Sequence, residues 1–212
     1  MLPKTTGGRR LAGGGAVVLA SLLSVFSGRG LQKTDILTAP SYREKGDPAA
    51  PVLIAEFSDY ECPACRYAEG PVKSTLELYG KDVRLIFKNF PLRQHLWARL
   101  AAVAAECAGR QGKFWPYHDI LYERQEEWTK SKDPPGLFLD YAKEADADPA
   151  AFSACRNDPA VKALIDSEVT EGNNRWVSST PTFFINRRRF VGASQLSTLG
   201  VPWIDKQLKA KR

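Results

Sequence analysis

Hydrophobic and polar positions along this chain fall into blocks whose period changes twice. Val52-Leu53-Ile54-Ala55-Glu56-Phe57 is an apolar run of strand length, and Val83-Arg84-Leu85-Ile86-Phe87 is a second. Between them Pro63 to Tyr79 reads as a helix, with a kink predicted at Gly70-Pro71, where proline removes a backbone donor. Residues 52–88 therefore form a βαβ unit with parallel strands and a right-handed crossover. The spacing then turns helical. Leu96 to Ala108 places Leu96, Leu100, Val103 and Cys107 on one face, and Lys113 to Trp128 carries Phe114, Trp115, His118, Leu121 and Tyr122 on another. Gly136 to Ala145 is a third helix. Asp148-Pro149 and Asn157-Asp158-Pro159 are N-cap plus first-turn proline starts, for helices over 149–156 and 159–176. Strands resume with Thr182-Phe183-Phe184-Ile185, a turn at Asn186-Arg187, and Arg189-Phe190-Val191. Trp203 to Lys211 closes the chain as a helix with Ile204 and Leu208 inward. The order is βαβ, an all-helical block, then ββα.

The amino-terminal stretch is of a different kind. Leu11 to Gly28 contains no charged residue and follows Lys4, Arg9 and Arg10, the pattern of an export signal. Eighteen uncharged residues also reach the short end of a bilayer span, so residues 1–27 are either a signal peptide or a membrane anchor. Polar residues with Pro40, Gly46 and Pro48 make 28–47 a linker. The formal charge of +6 draws half its excess from Lys4, Arg9 and Arg10. Basic residues recur at Arg187-Arg188-Arg189 and in the tail, but no aromatic-interleaved basic face is present, so nucleic acid is not an expected partner. With 212 residues, one domain carrying an insertion is the natural organisation.

Chemistry concentrates at Cys62-Pro63-Ala64-Cys65, directly after the first strand and at the start of a helix. A thiolate at a helix amino end gains from unpaired N–H groups and the macrodipole. Cys62 is therefore the candidate nucleophile of disulfide exchange and Cys65, three residues on, the candidate resolving thiol. Pro63 suits the first helical position. Export to an oxidising compartment implies that the other two thiols are paired, and the motif leaves Cys107 with Cys155, a structural bridge. A four-cysteine zinc site is disfavoured because the distal pair lacks a CxxC spacing. No metal and no cofactor beyond the redox-active cysteine pair is expected. His95 and His118 read as helix packing residues, with His95 the one placed to approach the dithiol. Phe114, Trp115, Tyr117, Trp128 and Trp176 read as core.

Four segments in this order resemble the exported DsbA-type branch of the thioredoxin superfamily: Phe57-Ser58-Asp59-Tyr60-Glu61-Cys62-Pro63-Ala64-Cys65, Phe90-Pro91-Leu92 with His95, Gln111-Gly112-Lys113-Phe114-Trp115, and Thr180-Pro181-Thr182-Phe183-Phe184-Ile185-Asn186. The likeness implies an α/β thioredoxin fold over 48–212, with a core of 48–93 plus 176–212 and a helical insertion of 94–175. It implies that Pro181 is a cis-proline facing the dithiol and that the Thr180 backbone pairs with an incoming peptide beside Pro63 and Ala64. It also implies that Glu56 is the buried acid that relays the proton of Cys65. Pro-Ala between the cysteines supplies no histidine to the thiolate, which points to a milder oxidant than the strongest of the family.

The implied activity is extracytoplasmic protein disulfide oxidoreduction, in which the Cys62–Cys65 disulfide passes to reduced or misoxidised exported proteins. The protein is expected to be a monomer, reoxidised by a membrane quinone-linked thiol oxidase. A disulfide isomerase or reductase using the same dithiol in reduced form is the alternative, since Thr180 before Pro181 resembles isomerase relatives. A non-catalytic thioredoxin-like chaperone module is the third reading.

Overall fold

Strand Val52–Ser58 (β2) is buried along nearly its whole length and organises everything around it. Helix Pro63–Tyr79 (α1) leads from it to strand Val83–Asn89 (β3), which pairs parallel with β2 from Val52↔Val83 to Ser58↔Asn89. Strands Thr182–Ile185 (β4) and Arg188–Val191 (β5) add antiparallel on the other side, with Phe57 opposite Thr182 and Ile54 opposite Ile185. The computed structural model describes residues 37–210. The expected signal or anchor over 1–27 and the first part of the linker lie outside the described residues.

Strand Glu44–Gly46 (β1) completes the sheet as the antiparallel neighbour of β3, giving the order β1-β3-β2-β4-β5. This corrects the linker reading over 37–47, because those residues are packed. Leu37 and Arg43 are buried. Lys88 Nζ donates to the Thr38 carbonyl at 2.7 Å. Arg43 donates to both carboxylate oxygens of Glu168 at 2.7 and 2.8 Å and faces Glu106 at 3.2 Å. Gly46, at φ +96°, lies so close to β3 that an added Cβ would stand 2.5 Å from the Val83 carbonyl oxygen. What looked like a polar spacer is an edge strand held by buried charge.

Between β3 and β4 stand six helices: Ala98–Gly109 (α2), Phe114–Glu123 (α3), Gln125–Thr129 (α4), Pro134–Glu144 (α5), Pro149–Cys155 (α6) and Pro159–Asn174 (α7). Asp133, Asp148 and Asp158 each cap a helix, accepting from the N–H of Gly136, Ala151 and Ala160, with proline at the first turn. Their shared core is built from the alanines of α2 with Tyr117, Leu121, Trp128, Phe138, Phe152 and Ile165. A disulfide of 2.07 Å joins Cys107 of α2 to Cys155 of α6. The α/β class and the order βαβ, helical block, ββα hold.

Four details differ from expectation. The helix over 113–128 breaks at Arg124, whose backbone leaves helical geometry. Leu96 lies ahead of the helix, which begins at Ala98, and Leu100 faces outward, because α2 buries its small alanines instead. Trp176 is 82% exposed in a left-handed turn that ends α7, so it is not core. The carboxyl-terminal helix starts earlier, as Gly192–Gln195 (α8), a π-turn at Leu196–Gly200 and Val201–Lys209 (α9).

Candidate active site

The carboxyl end of β2 delivers the chain into a tight turn, Asp59-Tyr60-Glu61, that ends on Cys62. Asp59 builds this turn. Its Oδ1 accepts from the Glu61 N–H at 2.8 Å, and its Oδ2 accepts from the Leu92 N–H at 2.8 Å and meets His95 Nδ1 at 2.7 Å. Gln125, from α4, donates to the Tyr60 and Cys62 carbonyls at 2.7 and 3.0 Å. Glu61 accepts from the Trp97 N–H at 2.6 Å. The insertion thus grips the turn from two sides and fixes where α1 begins.

Cys62 is the N-cap residue of α1 and Pro63 its first helical residue. The Cys65 and Arg66 N–H groups bond the Cys62 carbonyl at 3.1 and 3.2 Å. Cys62 is 8% exposed, whereas Cys65 is sealed at 0%. Both are free thiols. The Thr180–Pro181 peptide bond is cis, and the Thr180 carbonyl accepts from Cys62 Sγ at 3.5 Å. Pro63 and Ala64 lie exposed beside the sulfur. Next to Pro63 opens a cavity of about 760 Å³ with Arg66, Tyr67, His95 and Gln125 on its walls. His95 is therefore a rim residue held by Asp59.

This geometry has counterparts among known proteins. The family model described as Thioredoxin matches residues 39–206. The chain belongs to the thioredoxin family. Its structure is similar to a thioredoxin-like oxidoreductase from Silicibacter pomeroyi, at 27% identity, with 78% of this chain and 91% of that one covered and a TM-score of 0.66. It is similar also to oxidised BdbD from Bacillus subtilis, at 25% identity, 79% and 92% coverage and a TM-score of 0.69. The same fold is shared by the thiol-disulfide exchange protein alpha-DsbA2 from Wolbachia pipientis, at 23% identity, 78% and 86% coverage and a TM-score of 0.67. Among curated proteins it is similar to the Na(+)/H(+) antiporter NhaA 3 of Salinispora tropica, 37% identical over 156 residues, which are 73% of this chain. The chain spans about a quarter of the length of the curated relatives it matches.

The electrostatics of this thioredoxin-family site are asymmetric. The Cys65 thiol, hydrogen-bonded to Cys62, pulls the Cys62 pKa down to about 5; burial works against this, and Thr180 with the Cys65 and Ala64 N–H groups adds to it. Burial first, and then its charged neighbour Cys62, push Cys65 well above the ordinary thiol range. One sulfur is thus poised as an anion and the other as a thiol.

Glu56 lies buried on β2, six residues before Cys62. Burial, reinforced by the negative charge of Glu69, raises it to about 8, while the Ser58 hydroxyl and Lys45 pull the other way. The reading of the sequence missed the two groups nearest it. Ser58 Oγ donates to Glu56 Oε1 at 2.8 Å and lies 3.0 Å from Tyr122 Oη. Ser58 belongs to the motif that carried the resemblance, but Tyr122 sits on α3, where helical spacing marks it only as part of a bulky face.

Glu69, His118 and Asp119 bring three potential metal-ligand atoms within 4.8 Å of one another. His118 already spends its nitrogens on Tyr60 at 3.1 Å and Glu69 at 3.1 Å. Lys73 faces Asp119 at 3.7 Å. The cluster is charge-compensated by its own lysine and is not a cation cradle.

Proposed function

We propose that this protein is an extracytoplasmic thiol:disulfide oxidoreductase that introduces disulfides into exported proteins through Cys62 and Cys65. One observation carries the reading: a thiol at the N-cap position of a helix that touches the Thr180 carbonyl of a cis Thr-Pro bond and contacts a second, sealed thiol three residues on.

In the oxidised protein a substrate thiolate attacks Cys62, the sulfur that reaches the surface. The Cys62–Cys65 bond breaks, Cys65 leaves as the thiolate and is protonated, and a mixed disulfide joins Cys62 to the substrate. A second substrate thiolate attacks the substrate sulfur of that bond, closing the substrate disulfide. Cys62 departs as a thiolate and stays one at neutral pH. Two electrons pass to the protein. Of the two protons the substrate gives up, one remains on Cys65 and one goes to water. Because the thiolate stabilises only the reduced form, it makes the oxidised form the stronger oxidant.

Thr180 supplies backbone pairing to an extended substrate, Pro181 shapes that surface, and Pro63 and Ala64 line it. Glu56 stores the proton for Cys65. Residues 48–212, with the β1 arm in front, form the working unit, exported by residues 1–27 as signal or anchor. A membrane quinone-linked thiol oxidase withdraws the electrons, and no further cofactor takes part.

Reduced, unfolded substrate should regain disulfides faster with this protein, and Cys62→Ser should abolish the gain. A Ser variant as active as the parent removes the assignment of the nucleophile. Equilibration with glutathione decides direction. A dithiol that stays reduced, together with reshuffling of scrambled disulfides but no oxidation of reduced protein, transfers the assignment to isomerase, the reading that Thr180 favours.

A further inference from the structure

Cys65 has no surface of its own, yet every turnover moves a proton onto or off its sulfur. Protons do not cross close-packed apolar side chains, so hydroxyl groups must connect this thiol to water. Two hydroxyls favour the Cys65 anion, those of Ser58 and Thr180, and Ser58 is the one hydrogen-bonded onward to Glu56. It ends β2, is 1% exposed, and touches three groups of different kinds. Its Oγ donates to Glu56 Oε1 at 2.8 Å and lies 3.0 Å from Tyr122 Oη, and its hydroxyl draws the Cys65 thiol down against the upward push of burial. A serine hydroxyl has one hydrogen and two lone pairs. It can donate to Glu56 or to Cys65, not to both, so a rotation about the Cβ–Oγ bond is a switch between the two.

Tyr122 extends the line outward. Tyr122 lines a cavity of about 280 Å³ shared with Arg66, Glu69, Lys73, Asp119 and Glu123. Lys73 and Asp119 on this cavity reach solvent. Cys65, Ser58 and Tyr122 thus lead from the sealed sulfur toward an open chamber between α1 and α3, parted by Arg66 from the cavity beside Pro63.

We propose that Ser58 is the group through which Cys65 gains and loses its proton, with Glu56 as the store and Tyr122 as the link to the cavity. The proposal rests on Cys65 being the resolving thiol. When Cys65 leaves as a thiolate, the Ser58 hydroxyl gives its proton to the sulfur and takes the carboxyl proton of Glu56. Glu56, now a carboxylate, is refilled when Tyr122 passes its phenol proton to Ser58, Ser58 passes its own to Glu56, and Tyr122 takes one from water. Ser58 and Tyr122 end unchanged. The reverse sequence activates Cys65 for attack on a mixed disulfide at Cys62.

The test is a single turnover with the full chain. A mixed disulfide is formed between Cys62 and a fluorescently labelled cysteine peptide, and its release by Cys65 is timed from pH 5 to 9 for the parent, Ser58→Ala, Ser58→Thr and Tyr122→Phe. Ser58→Ala should slow release at least tenfold at neutral pH and erase the inflection near pH 8 that Glu56 imposes. Ser58→Thr, which keeps the hydroxyl, should restore both. Tyr122→Phe should slow release severalfold and enlarge the solvent deuterium effect. A Ser58→Ala profile matching the parent at every pH overturns the proposal. Should Ser58→Ala not fold, a Tyr122→Phe profile identical to the parent in light and heavy water overturns it instead. Failure of the underlying reading looks different: the parent itself then forms no mixed disulfide at Cys62, or never releases it.

Discussion

Replacing Cys65 by alanine tests what makes Cys62 acidic. The fall of Cys62 from 9.0 to about 5 corresponds to about 5 kcal/mol of preference for the thiolate, reduced to about 3–4 by solvent at the open face of the sulfur. Its leading cause is the hydrogen bond from the Cys65 thiol, and the Ala64 and Cys65 N–H groups contribute separately. A hydrogen bond to a charged group contributes about 1.5–3 kcal/mol. Deleting the thiol should therefore lift the Cys62 midpoint by about 1–2 pH units and leave it clearly acidic, since alanine keeps the backbone N–H at position 65. Ultraviolet absorbance of the thiolate, titrated from pH 3 to 10 in Cys65→Ala, reads the midpoint directly, and iodoacetamide rates over the same range check it. A midpoint that stays near 5 would mean that the helix end acidifies Cys62 unaided. A return to 9 would mean that the helix end contributes nothing. Either result refutes the division of labour described above.

Three other outcomes follow from burial and charge. Glu56 titrates near 8 in the folded chain against 4.5 in an ordinary carboxyl, so between those values the folded state holds the extra proton and stability is lost as pH rises through 8. Chemical denaturation should find Glu56→Gln gaining on the parent from pH 5 to 8 by up to about 3–5 kcal/mol, and a flat difference would contradict the shift. Changing Cys107 and Cys155 together to alanine opens a loop of 48 residues and should cost about 4 kcal/mol in urea unfolding, without removing the pH-dependent reactivity of Cys62. Arg43→Ala leaves Glu106 buried without its guanidinium and Glu168 with Lys88 as its remaining cation. It should cost about 3–5 kcal/mol, and a loss below 1 would mean that the β1 arm is dispensable.

How far the sequence foretold this structure depends on whether a residue answers to its neighbours in the chain or to distant ones. The strand at Val52–Ser58, the helix behind Cys62 and the paired strand at Val83 follow from local pattern, and the proline-led helices at Pro149 and Pro159 from local capping. The β1 arm was invisible because its main anchor, Arg43, finds Glu168 across 125 positions. Polar composition there meant buried ion pairs, not solvent. Leu100 misled for the opposite reason: α2 packs its alanines on several sides, so periodicity could not say which apolar face turns in. Within the site, the cysteine pair was legible from spacing. The roles of Asp59, Gln125 and Tyr122 come from contacts between β2, the helical insertion and the turn between them, and spacing carries no record of those.

Cys62 offers the outside world only a sliver of sulfur, with Cys65 wholly behind it. On the proposed function, a client would bring its own sulfur to bonding distance of that sliver, in line with the bond being broken, and lay an extended stretch against Thr180. Mature globular proteins, whose cysteines sit recessed among side chains, cannot make that approach; slack, newly emerged chains can. The enzyme would therefore tell unfinished proteins from finished ones by shape alone, and leave the completed work of earlier turnovers untouched.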